Sequence, residues 1–143
     1  MVLEFKKYVS RRLSKYFTST DFDCKCTRHT CKKTLVDEKL APALDLLWEK
    51  AGPFRIDSGF RCQEHNTEVG GEKGSKHMLG QAADCRSFLG KTGYQMALIA
   101  ETIPAFENGG IGTYNTFAHC DVREVKTRWD YSNNGREKNS QTT

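Results

Sequence analysis

Apolar residues recur at helical spacing from Leu35 and Val36 through Leu40, Ala41, Leu44, Leu47 and Trp48 to Ala51, and this amphipathic face limits the fold more than any other feature. Thr34 followed by Asp37 resembles a capping box with Asp in the place of Glu, and Gly52-Pro53 ends the helix. Shorter segments follow. Phe54 to Ser58 reads as a strand running into Gly59, and residues 62–69 read as a short helix broken at Gly70-Gly71. The stretch ending in Asp84-Cys85 reads as a strand, and Thr92 to Ile103 as a second helix stopped by Pro104. Gly109-Gly110 precedes two short β segments, 111–114 and 117–123. Residues 1–23 are basic and aromatic and read as a short helix followed by a turn. The order is that of a small α+β fold, and 143 residues make one domain. It divides into a basic N-terminal segment (1–16), the folded domain (17–131) and a polar, flexible tail (132–143).

Charge narrows the partners. Lys and Arg number 22 against 18 acidic residues, a net charge of +4, with the excess at Lys6, Lys7, Arg11, Arg12 and Lys15 and again at Lys25, Arg28, Lys32 and Lys33. Such a patch is either a solvated face or a surface for an anionic polymer such as a cell wall. It lacks the interleaved aromatics or the motif of a nucleic-acid module, so no nucleic acid is expected. No apolar run approaches the ~18 residues of a membrane span. Charges interrupt every short apolar group at the N-terminus, which predicts no secretory signal and synthesis in the cytoplasm. The six cysteines are then expected as metal-binding, catalytic or buried thiols rather than disulfides.

Three residues could converge on a metal. His77 and Asp84 lie seven apart across Gly80, and His119 lies in the segment Phe117-Ala-His-Cys-Asp-Val-Arg123. Two imidazoles and one carboxylate are a common ligand set for catalytic zinc, which leaves a fourth position for water. Strand alternation places His119 and Asp121 on one face and Cys120 on the other, and separates Asp84 from Cys85 in the same way. Cys85 and Cys120 are therefore expected as buried neighbours on the opposite side. Cys24, Cys26 and Cys31, with His29 between them, offer ligands for a second, structural ion. Their spacing fits no standard zinc knuckle, and free or partly buried thiols are the simpler expectation. Cys62 has no assignment.

These residues carry a family resemblance. Ile56-Asp-Ser-Gly-Phe-Arg61-Cys-Gln-Glu-His65-Asn, Val69-Gly-Gly, Ser75-Lys-His77-Met-Leu-Gly80-Gln-Ala-Ala-Asp84, and Gly110-Ile-Gly-Thr-Tyr114 with Phe117 to Arg123 resemble the zinc D-Ala-D-Ala carboxypeptidases, peptidase family M15, from about Phe17 to Arg123. The resemblance implies an α+β fold of the hedgehog/DD-peptidase kind, with an antiparallel sheet carrying one zinc. It implies His77, Asp84 and His119 as ligands and Arg61 as the residue that contacts the scissile carbonyl oxygen. Well-studied members place an acid three positions before the last histidine, where this chain has Thr116. Asp121 is the expected general base, or else it orients a ligand, and Glu107 is the reserve. Ser75 either donates to substrate or to Asp84, or it shapes its loop. His65, near Arg61, reads as structural or as supporting a ligand from behind rather than as a ligand itself.

The implied function is a zinc peptidase that hydrolyses peptidoglycan stem peptides, as a carboxypeptidase or an endopeptidase. A phage or prophage endolysin, released at lysis to degrade the cell wall, suits a monomeric domain of this kind. The alternative is a zinc-containing but non-catalytic wall-binding or phage structural module on the same fold, which the residue at Thr116 favours.

Overall fold

A computed structural model describes residues 1–133, and the tail expected over 132–143 lies outside them from residue 134 onward. The first strand, β1 (Val2–Lys6), pairs antiparallel with β2 (Lys33–Asp37). Two expectations are corrected here. Residues 1–16 contain a strand and no helix, because Val-Leu-Glu-Phe-Lys alternates with period two and turns Leu3 and Phe5 inward. The long helix, α1 (Leu40–Ala51), starts later than its apolar periodicity suggests. Thr34 and Val36 are buried from the strand β2. Instead of forming a capping box, the Thr34 hydroxyl donates to Asp23, and Asp37 accepts from the Lys39 N–H at 2.9 Å.

Helix α1 buries Leu40, Ala41, Leu44, Leu47 and Ala51, and it ends at Gly52, whose φ of 87° a side chain would resist. The N-terminal residues are fastened to it. Asp45 accepts from Ser14 Oγ and from the Lys15 and Tyr16 N–H groups, and Tyr16 stacks on Trp48 with ring centroids 4.9 Å apart. Phe17, Phe54 and Trp48 complete this aromatic group.

The main sheet holds β3 (Phe54–Ser58), β4 (Ala82–Ser87), β5 (Gly110–Thr113), β6 (Ala118–Asp121) and β7 (Thr127–Asp130) in the order β3-β4-β6-β5-β7. The sheet is mixed rather than antiparallel, since β7 runs parallel to β5. Between strands come α2 (Gln63–Glu68), α3 (Gly93–Ala100) and α4 (Pro104–Glu107). The helix expected over 92–103 is α3, which ends at Ala100, and a separate short helix begins at Pro104. A Thr92–Gln95 capping box starts α3, and Pro104 starts α4 in a first-turn position that needs no N–H.

Strand register fixes what each face carries. Asp84 pairs with His119 and Ala82 with Asp121 across β4 and β6. The intervening residues Ala83, Cys85, Ala118 and Cys120 turn to the other face and join Ile111 in the core with α1 and α3. Leu44 is fully buried in that core, whereas Leu46, two residues on, is 45% exposed. Leu44→Ala is expected to lower unfolding free energy by about 2–5 kcal/mol in urea titration, and Leu46→Ala by no more than about 0.5 kcal/mol. Equal effects would show that α1 presents a different face to the core.

Candidate metal centre

The three sequence-predicted donors come together although 42 positions separate His77 from His119. His77 belongs to a short 3-10 turn, Lys76–Leu79, opened by Ser75, whose Oγ accepts from the His77 N–H at 3.2 Å. Gly80 closes that turn with φ 73° and lets the chain enter β4, which presents Asp84. His119 comes from β6, in register with Asp84. One ligand atom from each of His77, Asp84 and His119 lies within 4.8 Å of the other two, and all three residues are buried.

The proton inventory of this triangle calls for a cation. His77 Nδ1 lies 2.7 Å from the Gly59 carbonyl, which can only accept, so that nitrogen carries a proton. Burial lowers the His77 pKa despite Asp84, so the ring is held toward its neutral form with the Nε2 lone pair facing Asp84 Oδ1 at 3.3 Å. His119 Nε2 lies 2.7 Å from Asp121 Oδ2 and its Nδ1 lies 3.2 Å from Asp84 Oδ1. Burial alone would lower the His119 pKa, but hydrogen bonds to Asp121 and Asp84 outweigh it and raise it to about 9. Burial likewise acts to raise the Asp84 pKa, and the two imidazoles overcome it and hold the carboxyl well below its usual range. In this state His119 holds a proton on each ring nitrogen; once the Nδ1 proton is displaced, two nitrogens and a carboxylate oxygen face one point, a donor set that fits zinc.

Asp121 sits behind this triangle. It is fully buried, and Oδ1 accepts from the Gly110 N–H at 2.9 Å and from the Arg123 N–H and Nε, while Oδ2 accepts from His119 Nε2 and Arg123 Nη2. Burial would raise its pKa, yet His119 and Arg123 keep it ionised. Both oxygens are engaged, and the carboxylate faces the far nitrogen of His119. This geometry matches the ligand-orienting alternative for Asp121 and leaves the general-base expectation without a free oxygen. Glu107 and Thr116 are exposed, on α4 and in the turn before β6, and neither lines the cavity over the triangle.

Arg61 does reach the triangle. A bulge in β3 sets Ser58 opposite Asp84, and Ser58 Oγ accepts from Arg61 Nε at 3.0 Å. Nη1 donates to Asn66 at 3.2 Å, and Nη2 lies 3.5 Å from Asp84 Oδ2. His65, on α2, pairs with Glu68 at 3.8 Å instead of joining the donors. A cavity of about 760 Å³ opens over Arg61, His77, Asp84 and His119, with Ser75 and Glu72 on its wall.

An aromatic wall escaped the sequence reading. Trp129 on β7 lies against His119 with centroids 4.8 Å apart, and its Nε1 donates to Tyr114 Oη at 3.0 Å. Tyr114 stacks on Phe117 at 4.4 Å. Gly112, paired with His119, makes this approach possible, since a methyl there would collide with the indole.

The four cysteines 24, 26, 31 and 62 form a second cluster, each offering a sulfur within 4.8 Å of the others. Cys62 joins the three cysteines that lie close in sequence, while His29 is exposed and does not belong to the group. Cys85 and Cys120 are both fully buried and unpaired in the core, and burial with Cys120 beside it pushes the Cys85 thiol well above its ordinary pKa.

An α+β domain in which two imidazoles and a carboxylate converge beside an arginine has the layout of a metal-dependent hydrolase. A family model described as Peptidase M15 matches residues 15–121, and the chain belongs to the peptidase M15 family of zinc-dependent metallopeptidases. Among curated proteins, none matches this sequence.

Gly112→Ala is expected to push Trp129 off His119 and cost about 1–3 kcal/mol of stability. Denaturant titration followed by tryptophan fluorescence checks both effects. An unchanged spectrum and midpoint would show that the indole has room to spare.

Proposed function

We propose that the protein hydrolyses peptide bonds in peptidoglycan stem peptides, with His77, Asp84 and His119 holding a zinc ion. The observation that carries this reading is the convergence of those donors, two with protons fixed on their far nitrogens, on a cavity that also holds the Arg61 guanidinium. When bound there, zinc would supply Lewis acidity toward a carbonyl oxygen and make a water nucleophilic near neutral pH.

The chain's own residues have distinct tasks. Arg61 commits one N–H each to Ser58, Asn66 and Asp84, which leaves guanidinium N–H groups to stabilise negative charge developing on the scissile carbonyl oxygen. Asp121 keeps the proton on His119 Nε2 and so keeps Nδ1 directed at the centre. Ser75 accepts from the His77 N–H, and its own hydroxyl proton is available to a substrate acceptor. Deprotonating the attacking water needs a carboxylate with a free oxygen. Glu72, exposed on the cavity wall, supplies it and passes the proton to the leaving amine. Tyr114, Phe117 and Trp129 form the apolar side of the cleft against which a peptide lies.

The rival reading is a wall-binding or phage structural module that keeps the metal without turnover. It is favoured by one observation, that Asp121 is engaged on both oxygens and Thr116 stands exposed where relatives carry an acid.

Digestion of purified sacculi, with products identified by mass spectrometry, decides between them. Peptides released only without chelator are expected, and their masses distinguish carboxypeptidase from endopeptidase cleavage. A folded, zinc-loaded protein that releases nothing from several wall types would establish the binding module instead.

Two variants test the assignments. Glu72→Gln is expected to lower kcat by about 10²–10⁴-fold with zinc content unchanged. Asp121→Asn is expected to weaken zinc binding by about 10–100-fold in competition with a chromophoric chelator. An Asp121→Asn protein that binds zinc normally but has lost turnover would return the base to Asp121.

A further inference from the structure

Cys24, Cys26 and Cys31 lie on the loop that leads into β2, and Cys62 follows Arg61 at the start of α2, more than thirty residues away. Nothing in the peptidase chemistry uses them, yet the fold gathers all four sulfurs into one volume. The Cys24 and Cys26 sulfurs lie 3.7 and 3.8 Å from that of Cys62. A tetrahedron of thiolates at a zinc–sulfur distance of about 2.3 Å has edges of about 3.8 Å. Cys62 stands equally close to two partners, so the arrangement singles out no disulfide pair.

The surroundings are built for negative charge. Backbone N–H groups point at sulfur, from Cys62 to Cys24 and from His65 to Cys62, both at 3.4 Å. Lys7 is 5% exposed, and its ammonium donates to the Cys26 carbonyl at 3.0 Å and lies 3.6 Å from the Cys26 sulfur. Among the described residues no carboxylate lies within ion-pair distance of Lys7. A buried ammonium requires a counter-charge, and the sulfur cluster is what faces it. Four thiolates around a divalent cation leave a net negative charge that Lys7 partly offsets. Phe60 and Leu35 pack against the cluster.

We propose that Cys24, Cys26, Cys31 and Cys62 bind a structural zinc ion in a closed four-thiolate site, separate from the His77–Asp84–His119 centre. With four protein ligands the site has no open position for substrate. Its effect is mechanical. It clamps the loop of residues 24–31 to Cys62 and thereby fixes the backbone that carries Arg61.

The test reads metal directly and needs no peptidase activity. Wild-type protein purified under reducing conditions is expected to carry two equivalents of zinc by elemental analysis, and a His77→Ala/His119→Ala variant one. Cobalt exchanged into that variant should give thiolate-to-metal charge-transfer absorption and the visible bands of a tetrahedral site. Cys31→Ser in the wild-type background should remove one equivalent and leave the other. If the double variant does not fold, stoichiometry and the cobalt spectrum of the wild type give the same answer. The proposal is overturned if cobalt-loaded protein shows no thiolate absorption, or if all four thiols of zinc-loaded native protein react freely with a disulfide reagent. Intact mass showing two disulfides among them would overturn it as well. A protein that holds two zinc ions but cuts no sacculi would refute the peptidase reading and leave this one standing.

Discussion

A carboxylate with no access to water sets the terms for the rest of this structure. Asp121 is fully buried, and leaving it ionised there would cost several kcal/mol without partners. The fold surrounds it with the His119 imidazole, the Arg123 guanidinium and two backbone N–H groups. Those partners dictate nearby choices. Position 110 is glycine, because a side chain there would occupy the space of the carboxylate. Arg123 follows two residues later on the same strand direction and lies over Trp129, which in turn covers His119. The orientation of the imidazole, and so of the donor triangle, is a consequence of how this single charge is satisfied.

What could be read in the sequence was whatever depends on short spacing. Alternation in Ala-His119-Cys120-Asp121 and in Ala83-Asp84-Cys85 separates donors from thiols without any knowledge of partners, and the register of β4 with β6 agrees. The donors themselves were visible because the Ser75–Asp84 segment has a recognisable pattern. What Asp121 touches was not, since its partners Arg123 and Gly110 come from its own turn and from a neighbouring strand. Leu35 and Val36 fit the helical period as well as the strand period, and pairing with β1, a long-range contact, makes them strand. Trp129 was invisible for a similar reason. Strand β7 is four half-buried residues with no apolar alternation, and only its parallel pairing with β5 defines it.

Two groups of side chains that could hold a metal ion share one small scaffold. The histidine–aspartate set is built on strands and a tight turn, where backbone hydrogen bonds hold each donor. The sulfur set is built on loops that contribute little apolar area of their own, joined by Phe60 and Leu35. Arg61 lies between them, its guanidinium beside Asp84 and its next neighbour in the chain a member of the sulfur group. Loop segments rarely hold a side chain steadily without fastening, and here the sulfur group and the apolar contacts of Phe60 and Leu35 lie next to the residue that needs it.

Directly behind the donors stand Ala83, Cys85, Ala118 and Cys120, all small and all fully buried. They let α3 approach the sheet closely, and they leave no slack in the backbone that carries Asp84 and His119. Enlarging any of them would be felt on the opposite face as a displaced donor. The segments that overhang the cleft, residues 69–75 and 114–117, lie outside these strands, so a change in one of their exposed side chains leaves the backbone of Asp84 and His119 in place.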